Sequence, residues 1–349
     1  GVKADISNLN QNKLTVCYED IDKNIAEYDL VRKMRASVLI LGPLLARKKE
    51  ASVSLPGGCA IGARPIDIHI DALKKLGAEF VLDSGYVNCK APKGLKGNKI
   101  DLKKISVGAS ENIIMAASLA NGESEINNIA IEPEVIDLIK CLKSMGSEID
   151  FIGDRKILIQ GKENLRGTTH EVIPDRIEAG TYMIAGALIG NNLKIQNIEP
   201  DHMQNILNVF EELKIDFKLN KDSVSLSKSD IEVGVNLQTE EYPGFPTDLQ
   251  AQIMVLLSKS KKNSSIIENI FENRFMHVPE LNRMGAQISI EGNKSIISPS
   301  SELIGAPVMA TDLRASVSLV LAGLISKGET IINRIYHIDR GYEEIEKKI

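Results

Sequence analysis

The residue best suited to acid–base or covalent chemistry is Cys59, in the glycine-rich segment SLPGGCAIGARPIDIHI at residues 54–70. Proline and glycines surround the thiol and predict a water-accessible loop, and Arg64 follows five residues later. A guanidinium near a thiol favours the thiolate, which is the reactive form. The alternative is a buried, inert cysteine in a turn, which is the usual fate of a lone cysteine.

Three aspartates in similar sequence patterns are candidates for a general base. Asp248 follows a Pro-Thr turn in FPTDLQAQ, MATDLRAS repeats the Thr-Asp-Leu pattern around Asp312, and PDRIEAG contains Asp175. A general base needs a substrate hydroxyl within hydrogen-bond reach. The commoner role of an aspartate at a helix start is that of an N-cap or first-turn carboxylate, and both interpretations stay open.

Arginines at predicted helix starts indicate that the protein handles an anion. Arg35 and Arg314 each open an apolar helix with the letters RAS, and Arg340 follows a strand-like run. A helix N-terminus attracts anions, and arginine can bind phosphate or carboxylate with two parallel hydrogen bonds. The repeated RAS motif suggests two arginines on either side of one anion. The alternatives are solvated arginines at helix ends and, for Arg340, a surface ion pair with Asp339.

The other cysteines and the histidines show no metal or nucleophile motif. No HExxH, Walker, GxGxxG or CxxC pattern occurs, so we predict no metal site. Cys17, Cys89 and Cys141 are interpreted as buried and inert, and His277 and His337 as ordinary core or surface histidines. Four widely spaced cysteines in 349 residues do not form a disulfide scaffold, which favours a reducing cytoplasm.

Composition argues against several classes of protein. The chain carries 42 Lys+Arg against 47 Asp+Glu, a net charge of −5, and 43% hydrophobic residues, which are ordinary globular values. An acidic chain with 4% aromatic residues is not typical of a nucleic-acid-binding protein. The longest run without a charge spans 15 residues, 179–193, whereas a membrane-spanning helix needs about 20 apolar residues. No signal peptide is visible.

The elements that must position these residues repeat along the chain. Turn positions at Gly77, Gly146, Ile215 and Gly285 are spaced 69, 69 and 70 residues apart. The three glycines each follow an apolar helical pattern, which is typical of a left-handed residue just past a helix. A second element is a helix rich in small residues, predicted to be buried on several sides. It occurs at 35–46, 108–120, 178–189, 248–258 and 314–326.

Each unit of about 70 residues therefore holds two helices and several strands. We predict an α/β fold with two domains, residues 1–173 and 174–349, each built of three units. The units at the two ends are partial, because Gly1 matches the turn position and the final GYEEIEKKI matches the start of a second helix.

Long segments of the chain resemble the UDP-N-acetylglucosamine 1-carboxyvinyltransferases, enolpyruvyl transferases of the EPSP synthase-like superfamily that open bacterial peptidoglycan synthesis. The matching segments are YDLVRKMRASVLILGPLLA, PGGCAIGARPIDIHI, VGAS, EPEVID, PDRIEAGT, FPTDLQAQ, ENRFMHVPEL, MATDLRASVSLVLAGL and IYHIDRGYE. The resemblance runs over essentially the whole chain. It implies an inside-out α/β barrel in each domain, three βαβαββ-type units per domain, and an active site in the cleft between the domains.

The resemblance implies transfer of the enolpyruvyl group from phosphoenolpyruvate to the 3-hydroxyl of UDP-N-acetylglucosamine, with release of phosphate by addition and elimination. Cys59 matches the loop cysteine that protonates the methylene carbon, can form a covalent adduct with phosphoenolpyruvate and is alkylated by fosfomycin. Asp248 matches the carboxylate that acts as base on the sugar hydroxyl. The resemblance implies no cofactor and no metal, since basic side chains supply the positive charge.

Further residues match binding positions of this family. Arg64 and Arg340 match residues that hold the phosphate and carboxylate of phosphoenolpyruvate. Arg35, Asp312 and Arg314 match a substrate-binding arginine and a pair lining the closed cleft. The matches to nucleotide-sugar positions are Arg64, Pro65, Ile66, Asp67, Ile68, Lys104, Ile105, Ser106, Val107 and Ile270. The polar segments near the cleft match at Glu132, Asp175 and Arg176.

The resemblance also implies features that this chain lacks. Members of the family carry a substrate-binding Lys-Asn pair in an SGAKNAAL-like segment that should precede Gly1, and they continue past Ile349. We therefore expect this chain, truncated at both ends, to be weakly active or inactive by itself. The implied partners are the two small-molecule substrates in the cytoplasm, with no nucleic acid and no membrane, and the protein is expected to be a monomer or weak homo-oligomer.

Three alternative functions stay open. The EPSP synthases share the fold and the donor, but the PGGC and RPIDIHI segments favour the nucleotide-sugar enzymes. A non-catalytic or regulatory protein on the same scaffold is disfavoured by Cys59, Asp248, Arg64 and Arg340. An RNA-end-processing relative is disfavoured by the acidic charge and the scarcity of aromatic residues.

Overall fold

The chain divides into two compact units, which are described separately. The structure is a computed structural model that describes residues 2–8, 11–18, 23–31, 35–55, 66–300 and 302–348. Unit 1 runs to His170 and unit 2 begins at Glu171, three residues before the boundary placed on the sequence. In the part of the chain so described, no helix is long and apolar enough to cross a membrane.

Unit 1 combines short helices with strands. Its helices are α1 (Tyr28–Val31), α2 (Leu41–Lys48), α3 (Asp67–Lys75), α4 (Val107–Ala117) and α5 (Pro133–Ser144), and a 3-10 turn covers Arg35–Ile40. Its strands are β1 (Val2–Asp5), β2 (Thr15–Tyr18), β3 (Ile25–Ala26), β4 (Glu50–Ser54), β5 (Glu79–Asp83), β6 (Tyr86–Lys90), β7 (Lys99–Asp101), β8 (Glu123–Asn127), β9 (Glu148–Gly153) and β10 (Lys156–Gln160).

The two four-stranded sheets of unit 1 have the same strand order. They run β3-β4-β6-β5 and β7-β8-β10-β9, each with one parallel pair followed by two antiparallel pairs. Helix α4 contacts α2, α3 and α5 and buries most of its length. Because the helix is made largely of small and aliphatic residues, it can contact neighbours on several sides.

Unit 2 has helices of similar average length to those of unit 1 and, on average, shorter strands. Its helices are α6 (Arg176–Ile189), α7 (Gln204–Glu212), α8 (Gln250–Leu257), α9 (Val278–Arg283), α10 (Leu313–Leu324) and α11 (Ile345–Lys348). Its 3-10 turns are Pro200–His202, Thr247–Leu249 and Ile335–His337. Its strands are β11 (Leu193–Gln196), β12 (Phe217–Leu219), β13 (Ser223–Leu226), β14 (Asn236–Gln238), β15 (Ser264–Ile267), β16 (Gln287–Glu291), β17 (Lys294–Ser298), β18 (Leu303–Ile304), β19 (Pro307–Met309), β20 (Ser326–Lys327) and β21 (Ile331–Asn333).

The sheets of unit 2 surround a large apolar core. Strands β14-β15-β17-β16 repeat the order seen in unit 1, β11-β13-β12 form a three-stranded sheet, and β18-β20 and β19-β21 are parallel pairs. Helix α8 contacts both α6 and α10, and all eight of its residues are buried. An α-helix without a polar face belongs in a protein core, so α8 is a rigid base for the residues that precede it.

Local predictions were confirmed at the turns and refined at the helix starts. Gly77, Gly146 and Gly285 adopt φ of 93°, 102° and 94°, in the left-handed region where L side chains are strained. The helices predicted from residues 35 and 248 begin instead with 3-10 turns, over Arg35–Ile40 and Thr247–Leu249. Such tighter turns are common at helix termini, and sequence periodicity does not distinguish them from α-helix.

Candidate active site

Asp248 forms the centre of an ion-pair cluster in unit 2. It lies on the 3-10 turn that leads into α8, and its side chain remains 41% exposed. Arg274 donates from Nη2 to Oδ1 at 2.6 Å, and Arg314 donates from Nη2 to Oδ2 at 3.4 Å. Each carboxylate oxygen is therefore oriented by one guanidinium, while the exposed part of the group can reach a substrate hydroxyl.

Arg274 is a site residue that sequence reasoning missed. Its side chain is 4% exposed, and its guanidinium lies 5.5 Å from the centre of the Phe271 ring. A buried arginine needs an anionic partner, and Asp248 supplies it. The signal available in the sequence was a basic residue between aromatic residues in FENRFMH, but nothing in the chain pointed to its partner.

Arg314 contacts Asp248 and also a buried tyrosine. Its Nη1 donates to the Tyr342 hydroxyl at 3.1 Å, and its guanidinium carbon lies 5.7 Å from the centre of that ring. Burial lowers the pKa of Arg314, but Asp248, Tyr342 and Asp175 together raise it above its ordinary value. The guanidinium therefore stays charged although only 14% of the side chain is exposed.

The three candidate aspartates separate into two caps and one ion-paired carboxylate. Asp175 caps α6 by accepting from the backbone N–H of Ile177 and Glu178, and Asp312 caps α10 through Arg314 and Ala315, all at 2.8–3.0 Å. Asp248 makes no such cap, and Pro246 precedes its turn. Asp175 and Asp312 therefore act as helix N-caps, whereas the carboxylate of Asp248 is bound by two arginines.

Glu268 supports both sides of this cluster. It is 3% exposed and accepts hydrogen bonds from the Thr247 hydroxyl at 2.9 Å and from the backbone N–H of Ile270 and Phe271 at 2.9 and 3.1 Å. One carboxylate therefore binds the turn that carries Asp248 and the segment that leads to Arg274. Ile270, expected to contact the nucleotide sugar, is half-buried here.

His277 lies beside the cluster and is fully buried. It is 1% exposed, and its Nε2 has no hydrogen-bond partner among the described residues. Its pKa is lowered to about 4, mainly because the side chain is buried. Asp312 and a hydrogen bond with the Arg274 backbone raise the pKa, whereas the Arg274 charge lowers it further. The expectation of a core histidine was right in position, but the imidazole is neutral and incompletely bonded.

We expect His277 to make unit 2 less stable in mild acid. Its folded pKa of about 4 lies below the ordinary value of 6.5, so between these values the unfolded chain binds the extra proton. The contribution of neutral His277 to the free energy of unfolding is fully present above pH 6.5. It decreases by about 3 kcal/mol as the pH falls to 4. His277→Gln should remove this part of the pH dependence, measured by urea unfolding from pH 4 to 8. The same change at half-buried His202 is the control, and an unchanged pH dependence in His277→Gln would contradict the assignment.

The described members of the expected nucleotide-sugar set in unit 1 lie at the starts of two adjacent helices. Asp67 and Ile68 open α3, Ile66 precedes it, and Lys104 is exposed. Ser106 caps α4, its Oγ accepting from the backbone N–H of Ala109 at 3.3 Å, with Ile105 and Val107 on either side. Helix α3 contacts α4, so the two stretches are close. A cavity of about 300 Å³ beside them is lined by Ile68, Asp71, Ala72, Lys74, Lys75, Ile100, Asp101, Leu102 and Lys103.

Several expected residues fall outside this description. Cys59, Arg64 and Pro65 lie outside the described residues, and for Arg35 only the backbone, at the start of a 3-10 turn, is described. Arg340 is exposed in the turn between residues 337 and 345. Among the described residues no group of three or more His, Cys, Asp and Glu side chains is placed to hold a metal ion.

The remaining cysteines differ from one another. Cys89 on β6 is buried, donates to the Ala51 carbonyl and has its pKa raised to about 12 by burial. Cys141 on α5 is half-buried, and burial followed by Asp137 raises its pKa. Cys17 is exposed, so the expectation of a buried thiol was wrong there. It lies on a two-stranded sheet, β1-β2, which is too small to bury its own side chains.

Comparison with known proteins gives a consistent family. The family model described as EPSP synthase (3-phosphoshikimate 1-carboxyvinyltransferase) matches residues 1–349. A UDP-N-acetylglucosamine 1-carboxyvinyltransferase from Gluconacetobacter diazotrophicus is 53% identical over 324 residues, covering 93% of this chain and 77% of that protein. One from Pelagibacter ubique is 52% identical over 340 residues, covering 97% and 82%.

Solved structures share the fold at low sequence identity. The enolpyruvyl transferase NikO from Streptomyces tendae matches with a TM-score of 0.86 and 23% identity, covering 96% of this chain and 80% of that one. An EPSP synthase from Acinetobacter baumannii matches with a TM-score of 0.67 and 16% identity, covering 90% and 76%. At these identities the likeness concerns the α/β fold alone.

Proposed function

The chain belongs to the EPSP synthase family, and we propose from this premise that the protein is a UDP-N-acetylglucosamine 1-carboxyvinyltransferase. The observation that carries the proposal is 52–53% identity, over 93–97% of the chain, to proteins of that name. The enzyme transfers the enolpyruvyl group of phosphoenolpyruvate to the sugar 3-hydroxyl, releases phosphate and begins peptidoglycan synthesis.

The proposed chemistry is an addition followed by an elimination. In the addition, Asp248 takes the proton of the sugar hydroxyl, whose oxygen bonds to C2 of phosphoenolpyruvate while Cys59 protonates the methylene carbon to a methyl group. In the elimination, the methyl group loses a proton and the C2–O bond to phosphate breaks. Asp248 suits its role because it is partly exposed and both of its oxygens are oriented by arginines.

Binding of the substrates is assigned to basic and backbone groups. Arg64 and Arg340 hold the phosphate and carboxylate of phosphoenolpyruvate, and Arg35 is a further substrate-binding arginine. Asp312 and Arg314 line the closed cleft, and Asp312 holds the first turn of the helix that carries Arg314. The nucleotide sugar binds along residues 65–68 and 104–107, and also contacts Ile270. The cavity beside α3 supports this location, because its lining includes Lys74, Lys75 and Lys103 against Asp71 and Asp101, with Lys103 paired to Asp71, and a diphosphate needs positive charge. We propose no metal and no cofactor other than a covalent phosphoenolpyruvate adduct on Cys59.

The test is phosphate release by the protein expressed from its complete gene. We expect release that requires both phosphoenolpyruvate and UDP-N-acetylglucosamine, with one enolpyruvyl sugar nucleotide formed for each phosphate. Shikimate 3-phosphate, the acceptor of the EPSP synthases, is the matched control and should support no release. Release with shikimate 3-phosphate but not with the nucleotide sugar would overturn the assignment in favour of the other branch of the family.

We propose the finer architecture on the same premise. Each unit is an inside-out α/β barrel of three repeats, and the common order of the β3–β6, β7–β10 and β14–β17 sheets supports this. The protein acts in the cytoplasm on its two small-molecule substrates, as a monomer or weak homo-oligomer, and sparse cysteine use agrees with a reducing compartment.

A further inference from the structure

Tyr342 is a buried polar residue that the proposed chemistry does not use. It lies between the 3-10 turn Ile335–His337 and α11, is 1% exposed, and packs in a small apolar cluster with Val317, Ile338 and Ile345. Three polar side chains reach its hydroxyl: Thr181 at 2.9 Å, Arg314 at 3.1 Å and Gln252 at 3.5 Å. A single partner would satisfy a buried hydroxyl, whereas this one lies among three polar side chains, one of which is charged.

The direction of the hydroxyl follows from its neighbours. Thr181 has one hydroxyl hydrogen, which it donates to the Ile177 carbonyl at 2.8 Å. In the contact with Thr181, Tyr342 must therefore be the donor. Its lone pairs then remain for the Arg314 N–H, which can only donate. The hydrogen bonds run from Arg314 to Tyr342, from Tyr342 to Thr181, and from Thr181 to the backbone of α6.

This chain of bonds ends at the candidate base. Arg314 reaches Asp248 with Nη2 at 3.4 Å while its Nη1 is bound to Tyr342. That contact is longer than the 2.6 Å bond from Arg274, so the orientation of Arg314 depends more on its second partner. Gln252, which also reaches the Tyr342 hydroxyl, donates to the Asp248 backbone carbonyl at 2.9 Å.

We propose that Tyr342 is a positioning residue for enolpyruvyl transfer, whose hydroxyl and ring fix the Arg314 guanidinium against Asp248. The proposal rests on the proposed function. The hydroxyl accepts one N–H of the guanidinium and the ring face lies beside its carbon, so two contacts define the guanidinium plane. Arg340 is two residues away in sequence, so the buried ring also anchors the turn that carries this expected substrate ligand.

The test is Tyr342→Phe in the protein expressed from its complete gene. The ring stays and the hydroxyl is lost, so we expect kcat to fall by about 10- to 100-fold, as for a hydrogen bond to a charged group. The KM for each substrate should stay within about threefold, because the loss concerns orientation at the base. Tyr182→Phe is the matched control. Its hydroxyl is buried and has no hydrogen-bond partner among the residues that the structure describes, and its ring packs against the same cluster, so kcat should not change.

A double-mutant cycle separates positioning from general destabilisation. If Tyr342 acts through Arg314, Tyr342→Phe added to Arg314→Lys should lower kcat by less than about threefold further. Equal losses in both backgrounds, or a kcat of Tyr342→Phe within about threefold of wild type, would overturn the proposal. Thr181→Val, which removes the acceptor of the hydroxyl, should lower kcat in the same direction. Absence of turnover in the wild-type protein would overturn the proposed function itself, which keeps the two failures distinct.

Discussion

Asp248→Asn is expected to lower kcat for phosphate release by about 10²- to 10⁴-fold, the usual contribution of a positioned general base. Asparagine has nearly the same shape but cannot take a proton from the sugar hydroxyl. Its amide keeps one acceptor oxygen but presents its NH2 group to either Arg274 or Arg314, which can only donate. The KM values should change less than kcat, because the missing interaction is needed in the transition state.

Two measurements make this result specific to the base. Asp216→Asn, the same change at an exposed position of unit 2, is the control and should leave kcat unchanged. Urea unfolding of both variants then tells whether folding accounts for the loss. Full activity in folded Asp248→Asn would refute the assignment of the base, whereas full recovery by Asp248→Glu would only show that reach is not limiting.

Cys59→Ala is expected to lower kcat by a similar factor of about 10²–10⁴, because the proton donor to the methylene carbon is removed. The same thiol should be the site of alkylation by fosfomycin, since a thiolate opens an epoxide and Arg64, five residues later in the sequence, is expected to favour the thiolate. Intact-mass analysis after incubation with fosfomycin should show one adduct, and peptide mapping should place it on Cys59.

The other thiols provide internal controls for the alkylation. Cys89 and Cys141 should remain unmodified at pH 7, because burial raises both pKa values, that of Cys89 to about 12. Cys17 is exposed and tests accessibility without a neighbouring arginine in its sequence. An adduct on Cys17 and none on Cys59, or no adduct at all, would contradict the predicted reactivity of the loop.

The sequence predicted the class of fold and the buried helices better than the surroundings of Asp248. Helix α8 was recognised as buried because its segment is mostly apolar and contains small residues, and all eight of its residues are buried. Asp248 was selected together with Asp175 and Asp312, since the same local pattern serves a cap and an ion-paired carboxylate equally well. Only the packing of unit 2 separates them.

Arg274, Glu268 and Tyr342 were beyond sequence reasoning for one physical reason. Each acts through partners that are distant in the chain: Arg274 binds Asp248 from 26 residues away, and Tyr342 binds Thr181 from 161 residues away. Local periodicity reports the burial of a residue but not the partner it meets.

The sheets and the candidate site differ in how soon they can assemble. Each four-stranded sheet uses one continuous stretch of chain, as in β4 and β6, where Ser52 and Asn88 are 36 residues apart. Short separations between partners favour early and rapid pairing. The bond between Thr181 and Tyr342 spans 161 residues, so during synthesis it must wait for nearly all of unit 2. The chain can therefore be largely folded, with Arg274 already beside Asp248, before Arg314 acquires its contact with Tyr342. Folding of the sheets and completion of the site are then separate events in time.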